Sequence, residues 1–406
     1  MNNKILKSDK MQHIKYDLKG PVLDEALRMR DRGEKVLRLN TGNPAAFGFK
    51  APENIMEVLR NNLVPSEAYS DSKGLLNARI AIANYCRDLG FPNVDENDIY
   101  TGNGVSECIK LAMLALLNTG DEVLVPRPDY PLWTAEVVLA GGTPVYYRCD
   151  EQADWMPDLD DIRKNINSNT KGIVLINPNN PTGAVYSKEL LEEIVEIARQ
   201  NDLIIFSDEV YDRLLMDGLK HVPIAPLAPD LLVVTLNGLS KSHLAAGFRS
   251  GWLVLSGNKE RARNYIEGIN CLASMRLCSN VLAQQIIEPA LTGHQEVFDM
   301  LLPGGRVYEQ RETICNALED IPGLSFVKPK AAFYLFPKLD VKKFNIYDDE
   351  KFAFDFLHKH KVMFVHGRSF NWDEPDHFRI VYLPEVDELQ KCADSLREFL
   401  STYKQN

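Results

Sequence analysis

No stretch of this chain approaches the ~20 consecutive apolar residues that a membrane-crossing helix needs. The opening Met-Asn-Asn-Lys-Ile-Leu-Lys-Ser-Asp-Lys lacks the apolar centre of a secretory signal. Cysteine is sparse: the seven are odd in number and scattered, with no CxxC pair or zinc-like spacing. That argues against a disulfide framework or a structural metal and for reduced, mostly buried thiols in the cytoplasm. Positive charge is also short, 46 Lys and Arg against 57 Asp and Glu, for a net charge of −11. A nucleic-acid or anionic-membrane surface is therefore not expected, and any anionic ligand must be gripped by individual Arg and Lys side chains. Internal repeats and low-complexity segments are absent. So is the dinucleotide fingerprint G-x-G-x-x-G, since Gly102-Asn103-Gly104 has no third glycine at the required place.

What is present is an ordinary globular composition, 45% hydrophobic and 25% charged over 406 residues, long enough for roughly two lobes. Gly20-Pro21 opens an amphipathic helix, and Val36–Asn40 reads as a strand that stops at the turn Thr41-Gly42-Asn43-Pro44. From Ile99 to about Leu255 strands and helices alternate. The strand candidates are Glu122–Pro126, Thr143–Tyr147, Gly172–Asn177, Leu203–Ser207, Val233–Asn237 and Trp252–Leu255. Helices are expected at Ser106–Asn118, Tyr130–Ala140 and Ser187–Gln200, the last with Ser187 as N-cap. Continuous apolar strands alternating with helices predict an α/β fold with a mainly parallel sheet covered on both faces. Beyond about residue 290 short strands (Phe333–Phe336, Val362–Val365, Phe378–Val381) and helices (Gly304–Leu318, Tyr347–Lys361, Val386–Tyr403) predict a smaller α+β lobe. The expected division is a large domain over 51–289 and a discontinuous small domain from 1–50 with 290–406.

Several strand ends carry chemistry. Lys241 lies just past the strand Leu232–Leu236, where open α/β sheets place ligands, and Arg249 follows between Gly247 and Gly251. Such a Lys can trap a carbonyl and such an Arg can hold a phosphate, although a polar loop is the plain alternative. Gly104-Val105-Ser106 opens a helix after a strand, an anion-binding geometry as well as an ordinary N-terminal turn. Asp208 ends the apolar strand Leu203–Ser207; it needs a protein cation or a protonated ligand nitrogen, unless it merely caps a helix. Tyr211 lies three residues on. Asn180 sits in the stiff loop Asn177-Pro178-Asn179-Asn180-Pro181-Thr182-Gly183. Tyr130 suits stacking on a flat ring or packing in the core. Arg379, on an otherwise apolar strand, needs a carboxylate from the protein or from a substrate. An anion site, a ring-stacking aromatic, a rigid Asn, a strand-end Asp with Tyr, and a Lys with Arg together fit pyridoxal phosphate.

The motifs Asn-Pro-x-Asn-Pro-Thr-Gly at 177–183, Asp208-Glu209-x-Tyr211 and Ser240-Lys241-x7-Arg249 resemble those of the class I aminotransferases of the fold-type I pyridoxal-phosphate superfamily. Gly20-Pro21-Val22-Leu23, Asn43-Pro44-Ala45, Tyr69-x-Asp71-Ser72-Lys73-Gly74 and Pro128-Asp129-Tyr130-Pro131-Leu132-Trp133 extend the likeness to the bacterial alanine (glutamate–pyruvate) aminotransferases. The resemblance implies a mainly parallel seven-stranded sheet and an exchange between L-alanine/pyruvate and 2-oxoglutarate/L-glutamate by ping-pong kinetics. Aspartate, aromatic or branched-chain transamination and carbon–sulfur lysis are the alternatives within the same chemistry. It also implies roles. Lys241 would join the cofactor's aldehyde and move the substrate proton. Asp208 would pair with the ring nitrogen, Tyr211 and Asn180 with the phenolic oxygen, and Tyr130 with the ring face. Gly104, Val105, Ser106, Ser240 and Arg249 would hold the phosphate, with Tyr69 arriving from the second subunit of a homodimer. Arg379, Asn180 and the Gly42 backbone would bind the substrate carboxylate, and Tyr16 would close over it. Gly238 stands where many members have a phosphate-binding serine, and Ser242-His243-Leu244 and Ser250 also depart from the usual pattern.

Overall fold

The long strands of the chain's middle section deliver their residues alternately to two apolar cores, the period-2 consequence of a sheet covered on both faces. The computed structural model describes residues 5–14, 16, 20–293 and 297–406. In chain order its strands are β1 (Leu37–Arg38), β2 (Ile99–Asn103), β3 (Glu122–Arg127), β4 (Thr143–Asp150), β5 (Met156–Pro157), β6 (Thr170–Ile176), β7 (Ile204–Asp208), β8 (Leu232–Gly238) and β9 (Ser250–Gly257). Shorter ones follow: β10 (Leu324–Ser325), β11 (Tyr334–Leu335), β12 (Lys338–Leu339), β13 (Val362–Met363), β14 (Val365–His366) and β15 (Phe378–Val381). The large sheet runs β2-β9-β8-β7-β6-β3-β4-β5. Its centre is parallel, from β4 through β3, β6 and β7 to β8, while β9 is antiparallel to both β8 and β2.

The sheet has eight strands rather than seven. The addition is β5, two residues paired antiparallel with Cys149 and Asp150 at the edge. A pair of residues that includes a proline carries no periodicity to read, and proline is tolerated there because an edge strand has an N–H side without a partner. Along β7, Ile205 faces one core and Phe206 the other; along β8, Val233 and Val234 divide in the same way. The helices Leu76–Asp88 and Lys188–Gln200 cover the first face, and Val105–Leu116, Leu132–Leu139 and Arg263–Met275 cover the second. Ser187 caps its helix as expected, accepting from the Leu190 amide at 3.2 Å. The helix expected from Tyr130 begins at Leu132, after Pro131, and leaves Tyr130 in the preceding loop.

A third apolar core joins Val22, Met29 and Leu39 to Phe352, Phe378 and Leu396, so the first fifty residues share their interior with the last hundred. β1 pairs in parallel with β13. The run Val362–Val365, which reads as a single strand, divides: β13 joins β1, whereas β14 joins β15, which in turn pairs with β11. The C-terminal part docks on the sheet edge through Trp155, whose ring meets Phe336 at 5.6 Å, Trp372 at 5.3 Å and His377 at 5.3 Å. His377 also bonds Asp376 at 2.6 Å, and the chain then enters β15, which carries Arg379.

Candidate active site

The carboxyl ends of the parallel strands and the edge of β15 meet around one cleft of about 210 Å³. Tyr16, Gly42, Val105, Ser106, Tyr130, Asn180, Asp208, Tyr211, Ser240, Lys241, Arg249 and Arg379 all line it. Gly104 stands at the rim as the N-cap of the helix Val105–Leu116. Tyr69 lies outside, 79% exposed. Asn40, Thr41, Ile109, Ile176, Val210, Ala246 and Tyr334 line the same cleft and had given no signal in the sequence.

Asp208 is the last residue of β7 and lies beside β8, whose extension through Gly238 into the short helix Leu239–Ser242 delivers Lys241. The carboxyl is 3% exposed. It accepts from the Trp133 indole N–H at 3.0 Å and from the Val210 amide at 3.4 Å, in a turn rather than at a helix start. No cation pairs with it among the described residues. Burial pushes it up to about 6, and the Trp133 hydrogen bond opposes that rise. Trp133 could have been suspected only from its place after Tyr130-Pro131, since an indole in an apolar helix otherwise reads as core.

Lys241 donates from Nζ to the Gly42 carbonyl at 2.6 Å, so the turn after β1 meets the turn after β8. Tyr211 is buried and its hydroxyl lies 2.7 Å from that of Tyr334, on β11. Gly42 makes room for this, because a Cβ at that position would overlap the Tyr334 hydroxyl. On the outer side Tyr16 reaches over to Tyr130, with hydroxyls 3.1 Å apart.

One end of the cleft is built for an anion. Val105 and Ser106 occupy the first turn of their helix, whose amides have no carbonyl one turn back. Arg249 lies across from them, donating to the carbonyls of Ala246 at 3.0 Å and Asn103 at 3.4 Å and to no carboxylate among the described residues. Gly104 has φ +76°, and a Cβ there would collide with the Arg249 guanidinium. The glycine is required twice over, by conformation and by contact. Ser240 lines the cleft, in keeping with the role its motif suggests.

Arg379 marks the other end. It is 2% exposed, and no described carboxylate pairs with it. Nη1 donates to Asn180 Oδ1 at 2.8 Å, Nη2 donates to the Asn40 carbonyl, and Nε has no partner. Because Arg379 can only donate, Asn180 must turn its oxygen towards it, leaving the amide N–H groups for a ligand. The Asn loop holds itself: Asn179 Oδ1 accepts from Thr182 Oγ1 at 2.9 Å and Asn177 Oδ1 from the Tyr186 amide at 3.0 Å. Burial pulls the Arg379 guanidinium below its ordinary value, against the neighbouring tyrosines Tyr334 and Tyr211.

Residues 34–396 match the family model "Aminotransferase class I and II". The chain belongs to this family. It is 58% identical over 399 residues to glutamate-pyruvate aminotransferase AlaA of Haemophilus influenzae, covering 98% of this chain and 99% of that protein. It is 49% identical to an alanine aminotransferase of Mycobacterium bovis, covering 98% and 93% respectively. The crystal structure of an Escherichia coli aminotransferase superposes with a TM-score of 0.98 at 57% identity, over 100% of both chains. Class I aminotransferases work with pyridoxal phosphate, and the residues of this aminotransferase fit that group. The buried carboxyl without a cation suits a protonated ring nitrogen, the unneutralised Arg249 and open helix turn suit a phosphate, and Lys241 suits an aldehyde.

Without cofactor, Asp208 weakens the fold. A carboxyl moved from its ordinary 3.8 to about 6 costs nothing below pH 4, where both states are protonated. The cost grows as pH rises from about 4 to 6 and then stays near 3 kcal/mol. Cofactor-free Asp208→Asn should therefore be more stable than wild type at pH 8, with the gap closing towards pH 4. Urea unfolding of both proteins at the two pH values measures it; a gap independent of pH would refute the assignment.

Proposed function

We propose that this protein is a pyridoxal-phosphate aminotransferase moving an amino group between L-alanine/pyruvate and 2-oxoglutarate/L-glutamate in two half-reactions. We further read it as a cytoplasmic homodimer. Asp208 carries the reading: a buried carboxyl without a described cation, at the end of the strand next to the one that delivers Lys241. The likeness to glutamate–pyruvate and alanine aminotransferases supports the substrate pair. So does the lining, whose described cations are Lys241, Arg249 and Arg379. With these engaged by aldehyde, phosphate and α-carboxylate, the lining suits the small neutral side chain of alanine and supplies no further cation to a longer acidic one.

Bound here, pyridoxal phosphate supplies an aldehyde for the amino group and a cationic ring that draws electron density from the substrate Cα. Asp208 would keep the ring nitrogen protonated. Tyr211 and the Asn180 amide would donate to the phenolic oxygen, and Tyr130 would stack on the ring. Gly104, Val105, Ser106, Ser240 and Arg249 would hold the phosphate. Arg379, with Asn180 and the Gly42 backbone, fixes the substrate carboxylate so that the Cα proton faces Lys241. The Lys241 amine would take that proton as general base and hold it at Nζ beside the substrate. Tyr16 closes over the substrate against Tyr130 and keeps water out. The lobes taking part are 51–289 and 1–50 with 290–406, a division supported by the shared core of the chain's two ends.

The dimer rests on an exposed apolar surface. Leu63, Val64, Tyr69 and Leu76 are 60%, 74%, 79% and 54% exposed, and Met275 and Leu277 are 74% and 53% exposed. Arg276 ties the two stretches together by donating to the carbonyls of Ser72 and Thr101. A second copy covering this face brings Tyr69 of the partner subunit to the phosphate. Buried free thiols at Cys86, Cys108, Cys149, Cys315 and Cys392 suit a reducing compartment, and no helix of the described residues is long and apolar enough to cross a membrane.

Four measurements check this reading. The purified protein with pyridoxal phosphate should show a visible band that alanine bleaches, and Lys241→Ala should lose turnover. Inert alanine beside rapid turnover of aspartate, an aromatic or a branched-chain donor would overturn the substrate assignment. Arg379→Ala should lower kcat/KM for alanine by the equivalent of about 2–5 kcal/mol, the range for an unmatched buried charge pair. Sedimentation should give twice the chain mass of 45.9 kDa; a monomer with full activity would remove the role of Tyr69.

A further inference from the structure

Tyr334 touches both Arg379 and Tyr211 in the cleft, although its surroundings in the sequence, Ala331-Ala332-Phe333-Tyr334-Leu335-Phe336, read as plain core. Its position follows from strand register. Tyr334 on β11 pairs with Val381 on β15, and Arg379 lies two residues before Val381. Residues two apart leave the same face of a strand, so the phenol and the guanidinium emerge side by side. The Arg379 guanidinium carbon lies 4.4 Å from the Tyr334 ring centroid, a cation–π distance. At the far end of the ring the hydroxyl meets that of Tyr211 at 2.7 Å. Gly42, whose carbonyl accepts from Lys241, is the residue whose missing Cβ leaves space for that hydroxyl.

We propose that Tyr334 is a positioning residue of the transamination: its ring orients Arg379, and its hydroxyl directs the hydroxyl of Tyr211. The two functions separate along one side chain. With its ring face Tyr334 holds the guanidinium at the angle set by Asn180 Oδ1 and the Asn40 carbonyl, which leaves Nε, the unpartnered donor, for the substrate carboxylate. With its hydroxyl it completes a chain. When the Tyr211 hydrogen is turned towards the cofactor's phenolic oxygen, the only hydrogen left to bridge the pair is that of Tyr334. Donation from Tyr334 then polarises Tyr211 and strengthens its own donation. The groups facing the pair are Lys241 from the helix after β8, Arg379 from β15, Asp208 from β7, Tyr130 from the loop after β3, and Tyr382 beyond β15. Burial raises the Tyr334 hydroxyl, but Lys241 and then Arg379 pull it below the ordinary phenol value, while burial and Tyr334 itself hold Tyr211 above it.

The proposal rests on the aminotransferase reading, and one set of variants tests it separately. Tyr334→Phe keeps the ring and deletes the hydroxyl; Tyr334→Leu deletes both. Each is loaded with pyridoxal phosphate, and the visible band is titrated against pH alongside steady-state kinetics with alanine. Weaker donation to the phenolic oxygen makes its anionic form less stable, so Tyr334→Phe should move the spectral transition to higher pH by about 0.5–1 unit. Its KM for alanine should stay within about twofold. Tyr334→Leu should show the same spectral shift and a KM about tenfold higher, from the lost ring beneath Arg379. Applied in a Tyr211→Phe background, Tyr334→Phe should add no further shift. A wild-type titration curve in Tyr334→Phe, or an unchanged KM in Tyr334→Leu, overturns the proposal. A shift of equal size with and without Tyr211 overturns it as well. A wild-type protein that takes up no cofactor would instead overturn the reading beneath it.

Discussion

A carboxyl taken out of water and left without a cation is a standing cost to a folded chain, and Asp208 is held in that condition by the strands on either side of it. β7 is buried on both faces and ends where β8 runs on into the turn of Lys241. The sheet that stabilises the molecule therefore also fixes the spacing between the two groups. No cation in the described protein neutralises Asp208, so the place suits a ligand bearing a protonated nitrogen. Arg379 and Arg249 repeat the arrangement with the opposite sign, one buried beside Asn180 and one against an open helix turn. Three charges without an opposite charge among the described residues outline the ligand by its complement, a cation at one place and anions at two.

Much of this outline is legible in the chain because strand ends are locally encoded. A β-branched run followed by Asp208, Lys241 or the Asn loop needs no knowledge of the rest of the fold, and the spacing of these runs names the sheet. The tertiary members are not legible in that way. Tyr334 enters the cleft only because β11 lies beside β15, and its apolar neighbours conceal its hydroxyl. Trp133 reads as core until Asp208 is placed next to its indole. Asn40 contributes through a backbone carbonyl, which leaves no trace in residue identity. The second strand that replaced part of Val362–Val365 and the added edge strand β5 failed to show for a related reason. Each is set by which partner the backbone finds, not by a repeating pattern of side chains.

The arrangement also explains why small residues stand at the two ends of the cleft. At Gly104 a side chain would displace the Arg249 guanidinium, and at Gly42 it would displace the Tyr334 hydroxyl. Each glycine yields its volume to a polar group from a distant part of the chain. In both places the site's electrostatics depend on an absence of side-chain atoms.

The division of Val362–His366 between two ladders has a mechanical side. Leu37 donates to the Lys361 carbonyl and Leu39 to that of Met363, while Val381 donates to the Leu39 carbonyl and Arg379 to that of Asn40. The segment that leads from the N-terminal helix to Gly42 is thus clamped on one side to β13 and on the other to β15. Backbone hydrogen bonds of this kind resist sliding far better than side-chain contacts do. Held between the two ladders, this segment sets the Asn40 carbonyl against the guanidinium of Arg379 like a short lever pinned at both sides. One short backbone segment thus joins the carbonyl that receives Lys241 to the carbonyl that receives Arg379.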